Sequence, residues 1–264
     1  MAQIEIDGVG KVYQEDTSEP IIAIDRIDLD VERNQFLTIV GPSGCGKSTL
    51  LHMMGGFISA SSGEIRLDGA VVDKPGPERG IVFQHFALFP WKTVLGNVEY
   101  GLVEKGMRKP ERRELAQHYI DMVKLTGFEN VFPNRLSGGM QQRVALARML
   151  ACDPEILLMD EPFGALDAQT RQILQEELLD IWRQHTKTVV FITHDVREAV
   201  FLSEKVVVMT ARPGRIKRVI ETGLGAGAAR LDVDRKAEEV WDILRDEVLK
   251  TVVPTGMDPK AAAS

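Results

Sequence analysis

Apolar and polar residues alternate along Ile4-Glu5-Ile6-Asp7 and again through Ile22, Ile24, Ile27, Leu29 and Val31, the rhythm of half-buried strands with one wet face. Phe36-Leu37-Thr38-Ile39-Val40 breaks that rhythm. It is apolar at almost every position and runs into a glycine-rich turn, which fits a strand covered on both faces. Residues 80–83, 156–159 and 188–192 form three more such runs, each stopping at polar residues. Helical periodicity over 111–125, 137–151 and 168–184 separates them, so strands and helices alternate around a parallel central sheet. From about Leu95 to Phe132 no strand pattern appears, which predicts an inserted helical subdomain. Beyond Gly214 the pattern weakens to a small-residue stretch over 223–229, a helix over 235–250 and a mobile tail over 255–264.

Composition narrows the picture. With 264 residues and 44% apolar content the chain can build a sizeable core. A net charge of −7, with both signs interspersed, argues against holding nucleic acid through bulk positive charge, so any phosphate must be gripped locally. Cys45 and Cys152 are the only cysteines, too few for a disulfide framework, which points to a reducing setting but leaves a single bridge open. No run reaches the roughly 18 apolar residues of a membrane span, and the first ten residues lack a signal peptide's basic start and apolar core. The expectation is a soluble, cytoplasmic chain.

Gly41-Pro42-Ser43-Gly44-Cys45-Gly46-Lys47-Ser48 matches the phosphate-loop pattern G-x-x-x-x-G-K-[ST], placed after a buried strand and opening a helix through Thr49. Its glycines let successive N–H groups point at a phosphate, the helix N-terminus adds a favourable dipole, Lys47 reaches the terminal phosphates, and Ser48 offers an oxygen to Mg2+. Asp160 and Glu161 end the run 156–159, where a parallel strand opens towards a ligand. Beside a phosphate loop, Asp160 reads as a Mg2+ ligand and Glu161 as the group that orients or deprotonates an attacking water; without one they would pass equally well as solvated acids. Ser137-Gly138-Gly139 begins a second helix suited to an anion, although spacing alone favours a capped helix without a ligand.

Together, GPSGCGKST, Gln84 in VFQ, LSGGMQQR at 136–143, LLMDEP at 157–162, GALD at 164–167 and THD at 193–195 resemble, in residue and in order, the ATPases of ATP-binding cassette (ABC) transporters. The resemblance spans roughly 4–218. It implies an α/β fold: a P-loop NTPase core with a mostly parallel sheet, an antiparallel β subdomain and an inserted α-helical subdomain at about 95–150. The ATPase domain would occupy 1–222, with a partly helical C-terminal extension over 223–264. The resemblance further implies a head-to-tail dimer. In it ATP and Mg2+ bound by Gly41, Pro42, Ser43, Gly44, Cys45, Gly46, Lys47, Ser48 and Thr49 of one copy meet Ser137, Gly138 and Gly139 of the other. Tyr13 corresponds to the aromatic that stacks on adenine, Gln84 to a contact with Mg2+ and the attacking water, Glu161 and His194 to catalytic groups, and Asp167 to the loop coupling the two sites.

The apolar stretch His85-Phe86-Ala87-Leu88-Phe89-Pro90-Trp91 falls where a surface loop is expected, and exposed aromatics there mark a docking surface, with packing onto the helical insertion as the alternative. In the resembled family this region receives a membrane-spanning subunit. That implies a peripheral motor on the cytoplasmic face of the plasma membrane, working with a second ATPase subunit and two permease subunits. A periplasmic or lipid-anchored substrate-binding protein would be an indirect partner, and nucleic acid none. Lys74 to Gly80, Leu88 to Trp91 and Thr210 to Ile216 are similar to importers of nitrate, sulfonates and taurine, with sulfonate or taurine ranked before nitrate. The competing readings are a soluble ABC-type ATPase acting on DNA or ribosomes, and the motor of an exporter.

Overall fold

The computed structural model describes residues 2–252 apart from 16, 18, 165 and 225–227. The tail expected over 255–264 and the centre of the small-residue stretch lie outside the described residues. Two sheets organise the chain. One is antiparallel, in the order β2-β1-β4-β5, built from β1 (Ala2–Tyr13), β2 (Ile21–Glu32), β4 (Ser62–Leu67) and β5 (Ala70–Val71). The other has the order β10-β9-β3-β8-β7-β6. It comprises β3 (Phe36–Val40), β6 (Arg79–Val82), β7 (Ile156–Asp160), β8 (Thr188–Thr193), β9 (Lys205–Met209) and β10 (Ile216–Glu221). Every pairing from β6 to β9 is parallel, and only β10 runs against its neighbour.

The continuous apolar runs are buried on both faces: every residue of β3, β7 and β8 is buried, which is why these strands show no alternation. In β2 the buried positions Ile27, Leu29 and Val31 alternate with exposed residues, as the period of two predicts. Both cysteines are free. Among the described residues no helix is long and apolar enough to cross a membrane.

Helix α1 (Lys47–Met54) packs on β2, β7 and β8. The interval between β6 and β7 is helical, with α2 (Val94–Val98), α3 (Tyr100–Glu104), α4 (Lys109–Met122) and α5 (Gly138–Ala151) around their own core of Val94, Val98, Leu102, Ala116, Ile120 and Val144. Helix α4 stops three residues short of expectation because Lys124 turns into the left-handed region at φ 57°. Helices α6 (Ala168–His185) and α7 (Val196–Leu202) flank β8 in sequence, and α8 (Arg230–Val252) begins five residues earlier than its periodicity suggested. Val233, Val240 and Leu244 bury α8 against α7 and β9. Glu247, also buried, ties it down: Lys217 and Lys250 reach Oε1 at 2.9 and 2.8 Å and the Ala211 N–H donates to Oε2 at 3.0 Å. Burial alone would raise the Glu247 pKa, but these three donors outweigh it and hold the carboxyl at about 2.

Candidate nucleotide site

Strand order does the first part of the assembly. Because β8 lies between β3 and β7, with β6 beyond, the C-terminal ends of four neighbouring parallel strands carry Gly41, His194, Asp160 with Glu161, and Gln84 on one edge of the sheet. Open α/β sheets bind ligands at this end.

The loop from Gly41 to Gly46 needs its glycines. Gly44 and Gly46 sit at φ 76° and 101°, and a Cβ on Gly46 would come within 2.9 Å of Ile24. Gly41 is equally tight, since a Cβ there would meet Cys45 Sγ at 2.8 Å. Gly46 caps α1 without a side-chain hydrogen bond, so no side chain competes for the helix's first N–H groups. Lys47 is buried and its Nζ donates to the carbonyls of Gly41 at 2.8 Å and Pro42 at 3.1 Å, with Cys45 Sγ at 3.9 Å. Burial pushes the Cys45 thiol up, leaving it a neutral packing group rather than a nucleophile.

Ser48 Oγ donates to Asp160 Oδ1 at 3.0 Å. Burial raises the Asp160 pKa, and the Ser48 hydroxyl only partly offsets that. A buried, under-compensated carboxylate beside a hydroxyl is a hard-oxygen pair of the kind Mg2+ selects, so the donor set fits that ion. The next residue, Glu161, leaves the strand at φ 43°, a left-handed conformation costing about 1 kcal/mol for a non-glycine residue. Its N–H is held by Ile192 O at 3.0 Å, and its Oε2 lies 3.0 Å from His194 Nδ1. The turn thus aims a carboxylate across the strand end onto the imidazole of the next strand.

Tyr13, at the end of β1, is 38% exposed, with its hydroxyl 3.4 Å from Thr49 Oγ1 and the Lys11 ammonium 5.3 Å from its ring centroid. Ser43 is exposed on the rim of the loop, and Gln84 is exposed just past β6 at the same sheet edge as Asp160. Ser137, Gly138 and Gly139 are set apart. Their helix α5 packs on α2, α3, α4 and β6, and its first turn lies against Leu166 and Thr170. Ser137 caps its own helix, accepting from the Met140 N–H at 3.3 Å, and stands exposed with Gly138. Asp167 caps α6, and the Thr170 N–H, followed by its hydroxyl, keeps the carboxyl below its ordinary range.

The aromatic loop after Gln84 has supports that the motifs did not reveal. Phe86 and Ala87 take consecutive left-handed conformations, at φ 57° and 44°. The buried face of Arg148 accounts for this, its guanidinium donating to Ala87 O at 2.7 Å and Phe86 O at 2.8 Å. Asn97, fully buried in α2, accepts from the Phe89 N–H at 2.9 Å and donates to the carbonyls of Phe89, Lys92 and Thr93. Phe89 packs on Tyr100 at 4.5 Å between centroids, leaving Trp91 71% exposed. Part of the segment therefore packs on the helical insertion, and Trp91 faces solvent.

Comparisons with known proteins agree with this geometry. Residues 24–164 match the family model described as ABC transporter. An ABC transporter ATP-binding protein of Methanocaldococcus jannaschii is 52% identical over 95% of this chain and 94% of its own length. A nitrate import ATP-binding protein of Synechocystis is 50% identical over 77% of each chain, and a taurine import ATP-binding protein of Rhizobium johnstonii is 45% identical over 98% and 100%. A dimeric ATP-binding cassette in a post-hydrolysis state, bound to ADP and phosphate, superposes with a TM-score of 0.74 at 35% identity, covering 83% of this chain and 98% of that one. The chain therefore belongs to the ATP-binding cassette transporter family, as one of its ATP-hydrolysing subunits.

Proposed function

We propose that this chain is the motor of an importer for a small oxyanion, in which two copies close on ATP and each completes the other's site. The observation that carries the reading is the contrast between the two glycine-bounded helix ends. The α1 end gathers Lys47, Ser48, Asp160, Glu161 and His194 on one sheet edge, whereas Ser137 and Gly138 stand exposed at the start of α5, beside Leu166. A phosphate held by a second copy would give those N–H groups their anion.

In this reading Gly41, Pro42, Ser43, Gly44, Cys45, Gly46 and Thr49 wrap the phosphates and Lys47 turns from its own carbonyls to the terminal ones. Tyr13 stacks on the adenine. Ser48, Asp160 and Gln84 would hold Mg2+, which would supply positive charge to the phosphates when bound. Glu161 accepts the proton of the attacking water at a carboxylate oxygen, and His194, paired to Oε2, holds that carboxylate in place and faces the terminal phosphate. Asp167 lies at the seam between copies. The domain division into 1–222 and an extension over 223–264 belongs to the same reading. So do two permease subunits docked at Trp91, a peripheral position on the cytoplasmic face of the membrane, and a substrate-binding protein that meets only the permease. Relatives named for nitrate and taurine import point to a compact oxyanion as cargo, with sulfonate or taurine placed first.

Glu161→Gln keeps the shape of the acid but cannot take a proton. It should cut kcat by about 1,000-fold while leaving ATP binding intact, and with Mg2+ and ATP it should double in mass by light scattering. Persistent monomers, even with the permease present, would refute the shared site.

A further inference from the structure

We propose that Arg171 is a positioning residue for hydrolysis, tying the loop that carries Asp167 to the loop that carries His194. Arg171 lies in the first turn of α6. Its Nη2 donates to Leu166 O at 3.1 Å, and its Nη1 is 3.6 Å from Asp195 Oδ2. Each acceptor belongs to a different loop of the site. Leu166 immediately precedes Asp167 at the proposed seam between copies, and Asp195 immediately follows His194.

Both ends of this tie are anchored. Asp195 caps α7, its Oδ1 accepting from the N–H groups of Arg197 at 2.9 Å and Glu198 at 3.1 Å, and its own N–H donates to Thr193 Oγ1 at 3.0 Å. One turn along α6, Gln175 donates to the buried Glu198 at 2.7 Å, so α6 grips the first turn of α7 at two successive points. The other end of the 161–166 segment is fixed on β8 by the Glu161 N–H. Arg171, Gln175, Asp195 and Glu198 share the wall of a recess of about 690 Å3, and the buried Nε of Arg171 has no hydrogen-bond partner among the described residues. A movement of Leu166 is therefore delivered to Asp195, and through it to the imidazole that holds Glu161. A planar guanidinium can span two acceptors in this way, where a point charge cannot.

The inference rests on the dimer reading, since Asp167 is the element a second copy would press. It is tested with Arg171→Ala, Asp195→Asn and the double variant in the assembled transporter. Asn caps a helix about as well as Asp, so Asp195→Asn removes the charge and keeps α7. We expect each single change to lower kcat by about 10-fold with KM for ATP within about twofold, because a displaced reacting group costs turnover rather than binding. The double variant should fall no lower than the worse single one. Arg171→Ala placed in the Glu161→Gln chain should still form the ATP-bound dimer. An unchanged kcat, KM moving together with kcat, effects that multiply in the double variant, or a lost dimer would each overturn the assignment. If Glu161→Gln alone stays monomeric, the shared site fails, while the kinetic cycle still decides whether Arg171 ties the loops.

Discussion

Two helices start at glycine-bearing turns, and their first turns are equipped differently. Helix α1 begins at Gly46, which contributes no side-chain cap, and brings its own cation, its own carboxylate pair and its own imidazole. Helix α5 begins at Ser137, which spends its hydroxyl on Met140. Ser137 and Gly138 are exposed there, while Gly139 is buried against α6. In the proposed reading the first is a site in itself, and the second becomes one only when another molecule supplies the anion. The caps themselves differ, Gly46 being left-handed at φ 101° and Ser137 extended at φ −65°, and the fold adds to that difference through what it places beside each end.

Three changes bear on that contrast, from the strongest to the weakest. Lys47→Ala deletes the cation of the α1 end and should weaken ATP binding by at least about 100-fold in equilibrium dialysis of the isolated chain. Near wild-type affinity would erase the distinction between the two ends. Gly138→Ala adds a methyl at the α5 end, where a Cβ would sit 3.8 Å from Leu166, an ordinary contact. Folding and single-chain ATP affinity should therefore be preserved. The ATP-bound dimer of the Glu161→Gln chain should still lose about 10-fold in sedimentation analysis, because the methyl intrudes where a phosphate must approach.

The smallest effect concerns Asp160. Its pKa is raised by burial, so the nucleotide-free fold binds this proton more tightly than the unfolded chain does, and ionisation costs stability as pH rises above the ordinary carboxyl range. Asp160→Asn should raise the melting temperature of the nucleotide-free protein near neutral pH by about 2–4 °C. Its advantage over wild type should shrink as pH falls towards 4, and Mg2+ should no longer stabilise it in the presence of ATP. Subtracting the two curves cancels the opposite contribution of Glu247, which is depressed and loses stability as pH falls from about 4.5 towards 2. A variant less stable than wild type at every pH would show that Asp160 carries a structural load at the α1 end.

The α1 site was legible because its chemistry is consecutive in the chain: strand β3, the glycine loop and Lys47 are neighbours, and a doubly covered strand announces itself by uninterrupted apolar residues. Strand β9 escaped notice because only Ser203 and Glu204 separate it from α7, so helical and strand periods run close together. Strand β10 is an edge strand in which Ile220 alone is buried, and β4 opens on Ser62-Gly63, which reads as a turn. Arg148, Asn97 and Arg171 carried no signal at all. Each binds main-chain carbonyls, Arg148 those of a segment distant in the chain and Asn97 and Arg171 those of the loops that lead into their own helices, an effect that no spacing pattern records.

The loop at 86–93 gives these hidden residues their consequence. Its two left-handed residues, its buried asparagine and its arginine clasp shape the tryptophan platform from within the chain, before any permease arrives. In the proposed docking at Trp91, recognition proceeds with little ordering entropy still to be lost, and a motor of this design could serve several transport channels by altering a few outward side chains while the scaffold under them stays the same.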